Sequence, residues 1–283
     1  MTKILSKIDL EKFEKEYNEY RNSDDYKSRQ SQSKFIEVAQ MVIRELLKKE
    51  KISNEDLTAL IQMFNVSCKK GTFQKYLKSL HFSEEIEKEI FNKYIEIGQC
   101  GYTRVGKATI EGLSSEQLDT IRTFLKKIDN SENADQIKAA WREYNEMEIP
   151  IVTIGIYSPW LHYLKPELCP LIAGPVRAFL KKIGWNGDYS DAMDFFNILK
   201  NKVNEDNLGL IDFFLFNEKR VNSILRPENS KEDSRLRNEQ DNKNHINILL
   251  EKKKQIILYG PPGTGKTFFT KRIAISFIKK GGS

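Results

Sequence analysis

The chain is poor in the residues that build metal and disulfide chemistry, with three cysteines and three histidines among 283 residues. Cys68, Cys100 and Cys169 lie far apart, odd in number and without a Cys-x-x-Cys pair, which argues against a disulfide framework. His81, His162 and His245 do not fall at zinc-ligand spacing with cysteines or carboxylates, so each is expected as a surface or satisfied core residue. Also missing is any run of about 18 apolar residues, the length a membrane-spanning helix needs. The opening MTKILSKIDLEKFEKEY lacks the apolar core of a secretory signal, so the expectation is a cytoplasmic protein with no membrane partner.

What is present is the composition of a globular protein: 39% apolar, 30% charged and 11% aromatic, over a length with room for roughly two domains. The net charge of +6 is unevenly placed. From Ile246 onward eight lysines and arginines face Glu251 alone, which leaves the first 245 residues close to neutral. Bulk charge therefore gives no argument for nucleic-acid binding by that larger part, although a neutral total can hide a one-sided basic patch.

The larger part reads as helix after helix. Asp9–Arg21 is charged and amphipathic, and Ser33–Glu50 sets Phe35, Val38, Ala39, Val42, Ile43, Leu46 and Leu47 at helical spacing. Ser53 with Asp56, and Ser114 with Gln117, have the form of capping boxes opening helices over Ser53–Phe64 and Ser114–Ile128. Gly71–Ser79, Ser83–Gln99 and Ala134–Met147 complete the series. Between them GQCGYTRVGKATIEG, Gly98–Gly112, is a Gly-spaced loop expected to be a structural turn, with Arg104 and Lys107 available for phosphate contacts.

In IPIVTIGIYSPWLHYLKPELCPLIAGPVRAFLKKIGW, Ile149–Trp185, Ser158 before Pro159 predicts an N-cap with proline at the first helical position. Lys165-Pro166 ends that helix, and Gly174-Pro175 opens another over Val176–Ile183. Arg177, Lys181 and Lys182 lie on or near one side of the second helix. A solvated face is the default for such charges, and contact with a phosphate backbone is the alternative. Asn217–Asn244 is polar and reads as a linker or exposed helix, so the domains are taken as 1–216, 217–245 and 246–283.

The last of these carries the sharpest motif. Gln255-Ile256-Ile257-Leu258-Tyr259 is apolar and β-prone, as a strand covered on both faces would be. Gly260-Pro261-Pro262-Gly263-Thr264-Gly265-Lys266-Thr267 then fits G-x-x-x-x-G-K-[ST] at every fixed position, and Thr267–Lys280 runs on without proline or glycine as a helix would. Glycines let the backbone curl around a polyphosphate at a helix N-terminus, where N–H groups and the dipole both favour an anion. Lys266 would reach the β- and γ-phosphates, and the Thr267 hydroxyl would hold Mg²⁺. The cofactor implied is ATP or GTP with Mg²⁺; the loop contacts phosphates and not the base.

The segment NHINILLEKKKQIILYGPPGTGKTFFTKRIA, Asn244–Ala274, resembles the start of the AAA+ module in McrB-like proteins, the nucleotide-driven motor subunits of modification-dependent restriction systems. The resemblance implies an N-terminal domain that recognises DNA, a homo-oligomeric ring, and a nuclease subunit as partner. The fold class expected is mainly α, with a multi-helix N-terminal domain, a linker, and the first strand, P-loop and helix of an α/β domain. The Walker B carboxylates, sensor and arginine finger of that family are not found in the chain, so it is expected to be a portion cut just after the Walker A motif. It would bind nucleotide weakly and would not be competent for hydrolysis. A second reading makes it a non-catalytic DNA- or protein-binding helical module with a vestigial P-loop. A nuclease in the helical region is not expected, because charged triplets such as Glu14-Lys15-Glu16 follow no strand with an upstream aspartate.

Overall fold

The computed structural model describes residues 2–98, 109–150, 152–172 and 174–226. The chain divides into a unit of Met1–Arg226 and a unit of Pro227–Ser283, and the second lies outside the described residues. Within the first unit the elements are α1 Thr2–Leu5, α2 Leu10–Arg21, α3 Asp24–Ser33, α4 Phe35–Lys48, α5 Asn54–Met63, α6 Lys70–Ser79 and α7 Glu84–Ile97. They continue as α8 Ser115–Asn130, α9 Ala134–Glu146, α10 Ile154–Leu164, α11 Gly174–Lys182, α12 Tyr189–Val203, α13 Leu208–Leu215 and α14 Glu218–Ile224. No β-strand occurs among the described residues, in keeping with a mainly α fold.

Local chemistry explains most of the helix starts. Asp9, Ser23, Ser83, Asn133 and Asp188 each accept a backbone N–H from the first turn they open. The two expected capping boxes are both formed, Ser53 with Asp56 and Ser114 with Gln117. α3 escapes the sequence pattern because only Tyr26 of its ten residues is buried, so there is no apolar stripe to read.

α10 differs from its expected form. It begins at Ile154, with Thr153 as N-cap, and Pro159 stands inside it. All of its residues but Gly155 are buried, so packing on every side holds a helix through a position where proline removes one backbone bond. Ser158 is thereby no cap; its buried Oγ accepts from the backbone N–H of Ile172 at 3.1 Å.

α4 and α10 cross the middle of the core. The Phe35 ring of α4 meets Phe64, Phe73, Tyr94 and Tyr163 at centroid distances of 5.9, 6.3, 6.5 and 5.9 Å, which ties α4 to the α5–α6 turn, α6, α7 and α10. The Phe73 and Tyr94 rings stack at 4.0 Å and clamp α6 to α7. At the other end, an antiparallel bridge joins Ile8 to Leu225, with Asp9 N–H donating to Ile224 O at 2.9 Å and Arg226 N–H to Lys7 O at 3.0 Å. The unit thus runs through α14 to Arg226, nine residues past the change to polar composition at Asn217. Buried Val221 and Ile224, and the Arg220 guanidinium lying 4.2 Å from the Tyr20 ring centre, hold that polar helix to the body.

Candidate functional site

Of the residues singled out in the sequence, Gly260, Pro261, Pro262, Gly263, Thr264, Gly265, Lys266 and Thr267 lie outside the described residues, as do Arg104 and Lys107. Arg177, Lys181 and Lys182 are described, and all three are exposed on α11.

α11 is anchored by Val176, Phe179 and Leu180, which are buried. Arg177 and Lys181, four residues apart, share the opposite face, and neither makes an ion pair among the described residues. Lys182 turns aside: its Nζ donates to Asn222 Oδ1 of α14 at 3.1 Å. Beneath it a groove of about 360 Å³ runs between α11 and the α13–α14 corner, lined by Ala178, Phe179, Lys182, Leu215, Phe216 and Val221 among others. The helix therefore offers two free cations and one that bridges to a neighbour. No carboxylate lies between Glu167 and Asp188 in the chain, so this segment carries only positive charge.

The proline-rich turn before α11 is a structural device. His162 is fully buried, and its Nδ1 lies 2.8 Å from Cys169 O, so that nitrogen carries the proton and donates it. Burial lowers the His162 pKa to about 4, and burial likewise pushes the Cys169 thiol well up, so neither is poised as base or nucleophile at neutral pH. Tyr189 Oη donates to Pro170 O at 3.0 Å, and Leu208 N–H donates to Pro166 O at 3.0 Å. These bonds fix where α11 starts, and thus where its cations face.

A second polar cluster had no trace in the sequence. Tyr17 and Tyr26 both donate to Glu205 Oε2, at 3.1 and 2.8 Å, with Arg21 Nη2 3.5 Å from the same oxygen. Burial, reinforced by that carboxylate, pushes the Tyr26 hydroxyl up to about 12. Arg21 Nη2 also donates to Val203 O at 2.8 Å, while its buried Nε has no hydrogen-bond partner, and the cluster joins α2 and α3 to the end of α12. No group of three or more histidine, cysteine, aspartate or glutamate side chains able to hold a metal ion occurs among the described residues.

No known protein family, curated protein or solved structure matches this chain. The resemblance to McrB-like proteins accordingly rests on the quoted residues.

Proposed function

We propose that this chain is a nucleotide-binding P-loop protein of the AAA+, McrB-like kind, with a helical recognition domain for DNA in its first 226 residues. The observation that carries the reading is the order of an apolar β-prone run, the loop Gly260–Thr267 and a helix-compatible run, since a phosphate cradle needs all three in succession. In this reading the loop takes ATP or GTP, Lys266 meets the β- and γ-phosphates, and Thr267 ligates Mg²⁺. The DNA part is supported by the exposed, unpaired Arg177 and Lys181 on a segment free of carboxylates. A homo-oligomeric ring and a nuclease subunit follow from the resemblance alone.

The test is ligand-observed NMR of the full chain with ATP and with GTP in the presence of Mg²⁺. Weak, saturable transfer to the nucleotide is expected, and Lys266→Ala should reduce it by about tenfold, the loss of one charge-assisted contact. No transfer in the wild type, or equal transfer in the variant, would favour the vestigial loop.

A further inference from the structure

A second basic surface lies on α6, a helix other than the one that carries Arg177, Lys181 and Lys182. Between Asp56 and Glu84 the chain has no carboxylate at all, although aspartate and glutamate make up 40 of its 283 residues. That interval carries Lys69, Lys70, Lys75 and Lys78, and all four are exposed. None of them makes an ion pair among the described residues.

The packing of α6 decides which way these charges face. Phe73 and Leu77 are buried, and the Phe73 ring is held between Phe35 and Tyr94. At helical spacing Lys70 and Gln74 form one row along α7, with Lys70 Nζ 5.7 Å from the Phe91 ring centre, and Gly71 and Lys75 form the next. Gln74 is exposed, as are Gly71 and Thr72, so α6 itself offers ammonium, amide and hydroxyl donors, with Gln74 bordering the same hollow as Glu84 and Glu87 of α7. The Lys78 end is less free, because it borders a hollow shared with Glu84, Glu87 and Lys88 of α7. The open cationic part is therefore the first half of the helix.

Lys69 is not placed to stabilise the start of α6. Lys69 is its N-cap and makes no side-chain cap bond, and the first turn holds no acidic residue. A cation there opposes the helix dipole at a cost of about 0.3–1 kcal/mol. Side-chain caps open α5 before it and α7 after it, so the surrounding sequence has the usual solution at hand. The charge of the whole face carries the inference, and the helix end only adds to it.

We propose that α6, backed by α5 across the Phe64–Lys69 turn, is a duplex-DNA contact surface, with Lys69, Lys70 and Lys75 on phosphates and Thr72 and Gln74 beside them. The major groove of B-form DNA admits an α-helix, which approaches with its N-terminal residues leading, whereas the deep, narrow major groove of A-form RNA does not. This assignment rests on the proposed role of the helical domain in DNA recognition, and it adds to α11 a contact surface on another helix.

The experiment is fluorescence anisotropy of the full chain with a labelled duplex DNA and a duplex RNA of the same length, over a salt series. Three variants are compared with the wild type: Lys69→Glu/Lys70→Glu/Lys75→Glu on α6, Arg177→Glu/Lys181→Glu/Lys182→Glu on α11, and Lys12→Glu/Lys15→Glu/Lys27→Glu on α2 and α3. The last matches the charge change of the other two, and so corrects for non-specific attraction, including that of the basic residues from Ile246 onward. Carboxylates in the first turn of α6 suit the helix dipole, and unchanged helical circular dichroism and melting will confirm that the variant is folded. The expected result is a loss of at least about tenfold in DNA affinity for the α6 variant, a salt slope shallower by about 2–3, and no more than about a twofold loss for the α2/α3 control. Losses equal in the α6 variant and the control, or tighter binding of the RNA duplex by the wild type, would overturn the assignment. If the α11 variant alone loses affinity, the DNA reading survives and the α6 surface fails; if the wild type binds no duplex, both fail together.

Discussion

The Tyr26 hydroxyl donates to Glu205 Oε2 at 2.8 Å, across 179 residues of sequence. Tyr17 donates to the same oxygen, and Glu205 Oε1 accepts the backbone N–H of Asn207 at 3.2 Å. One carboxylate thus closes the turn between α12 and α13 and fastens both α2 and α3 to it.

Removing that carboxylate leaves two buried hydroxyls without an acceptor. Glu205→Ala should cost about 3 kcal/mol, while Tyr26→Phe, which removes one donor and leaves the Tyr17 and Arg21 contacts to Glu205 in place, should cost about 1 kcal/mol. Urea denaturation at pH 7 measures both. Equal, small losses would show that the cluster contributes little to the fold.

The buried Ser158 Oγ has a comparable task at shorter range. It is the acceptor for Ile172 N–H, so Ser158→Ala strands a buried donor and should cost about 1–3 kcal/mol. Ser158→Thr keeps the hydroxyl and tests whether the loss comes from the bond. A wild-type urea midpoint for the alanine variant would remove Ser158 from the account of how α10 is held.

Much of this was legible because amphipathic helices announce themselves. α4 has a buried stripe at helical spacing, and α5 and α8 open on capping boxes that depend only on residues three apart. α10 was misread at its start for the opposite reason: it is buried all round, so it has no periodicity, and Ser158-Pro159 resembles a start signal inside it. α14 was hidden by polar composition, since its anchors are two apolar residues and a guanidinium stacked on a distant ring. The spacing of Arg177 and Lys181 put them on one face of α11 from sequence alone, but the turn of Lys182 toward Asn222 depends on α14 and had no local sign. The α6 lysines had a sign that composition by domain averages away, the long interval without a carboxylate.

His162 makes the fold sensitive to acid. Its folded pKa, lowered to about 4 by burial, lies below the unfolded value of about 6.5, so the unfolded chain binds the proton first as pH falls. The stability this neutral ring contributes is complete above about pH 6.5 and is lost as pH drops through about 4, a total of about 3 kcal/mol. His162→Gln, whose amide can still donate to Cys169 O, should flatten that part of the profile. Urea midpoints taken from pH 7 to pH 4 compare the two proteins, and parallel profiles would mean that His162 is not the titrating group.

Asp212 works in the other direction. It sits in α13 among Leu208, Leu210, Ile211, Phe214 and Leu215, all buried, and its Oδ1 has no hydrogen-bond partner. Burial raises its pKa well above the ordinary carboxylate range. The folded chain therefore holds the proton more tightly than the unfolded one, and stability present below the unfolded pKa of about 3.9 is lost as pH rises toward the folded value. Asp212→Asn keeps the shape and cannot ionise, so it should gain about 1 kcal/mol or more at pH 8 and almost nothing at pH 4. The gain must grow with pH to implicate ionisation, since a better-packed amide would stabilise equally at both. A variant less stable than wild type at pH 8 would instead mean that the ionised Asp212 carboxylate is held by a favourable contact.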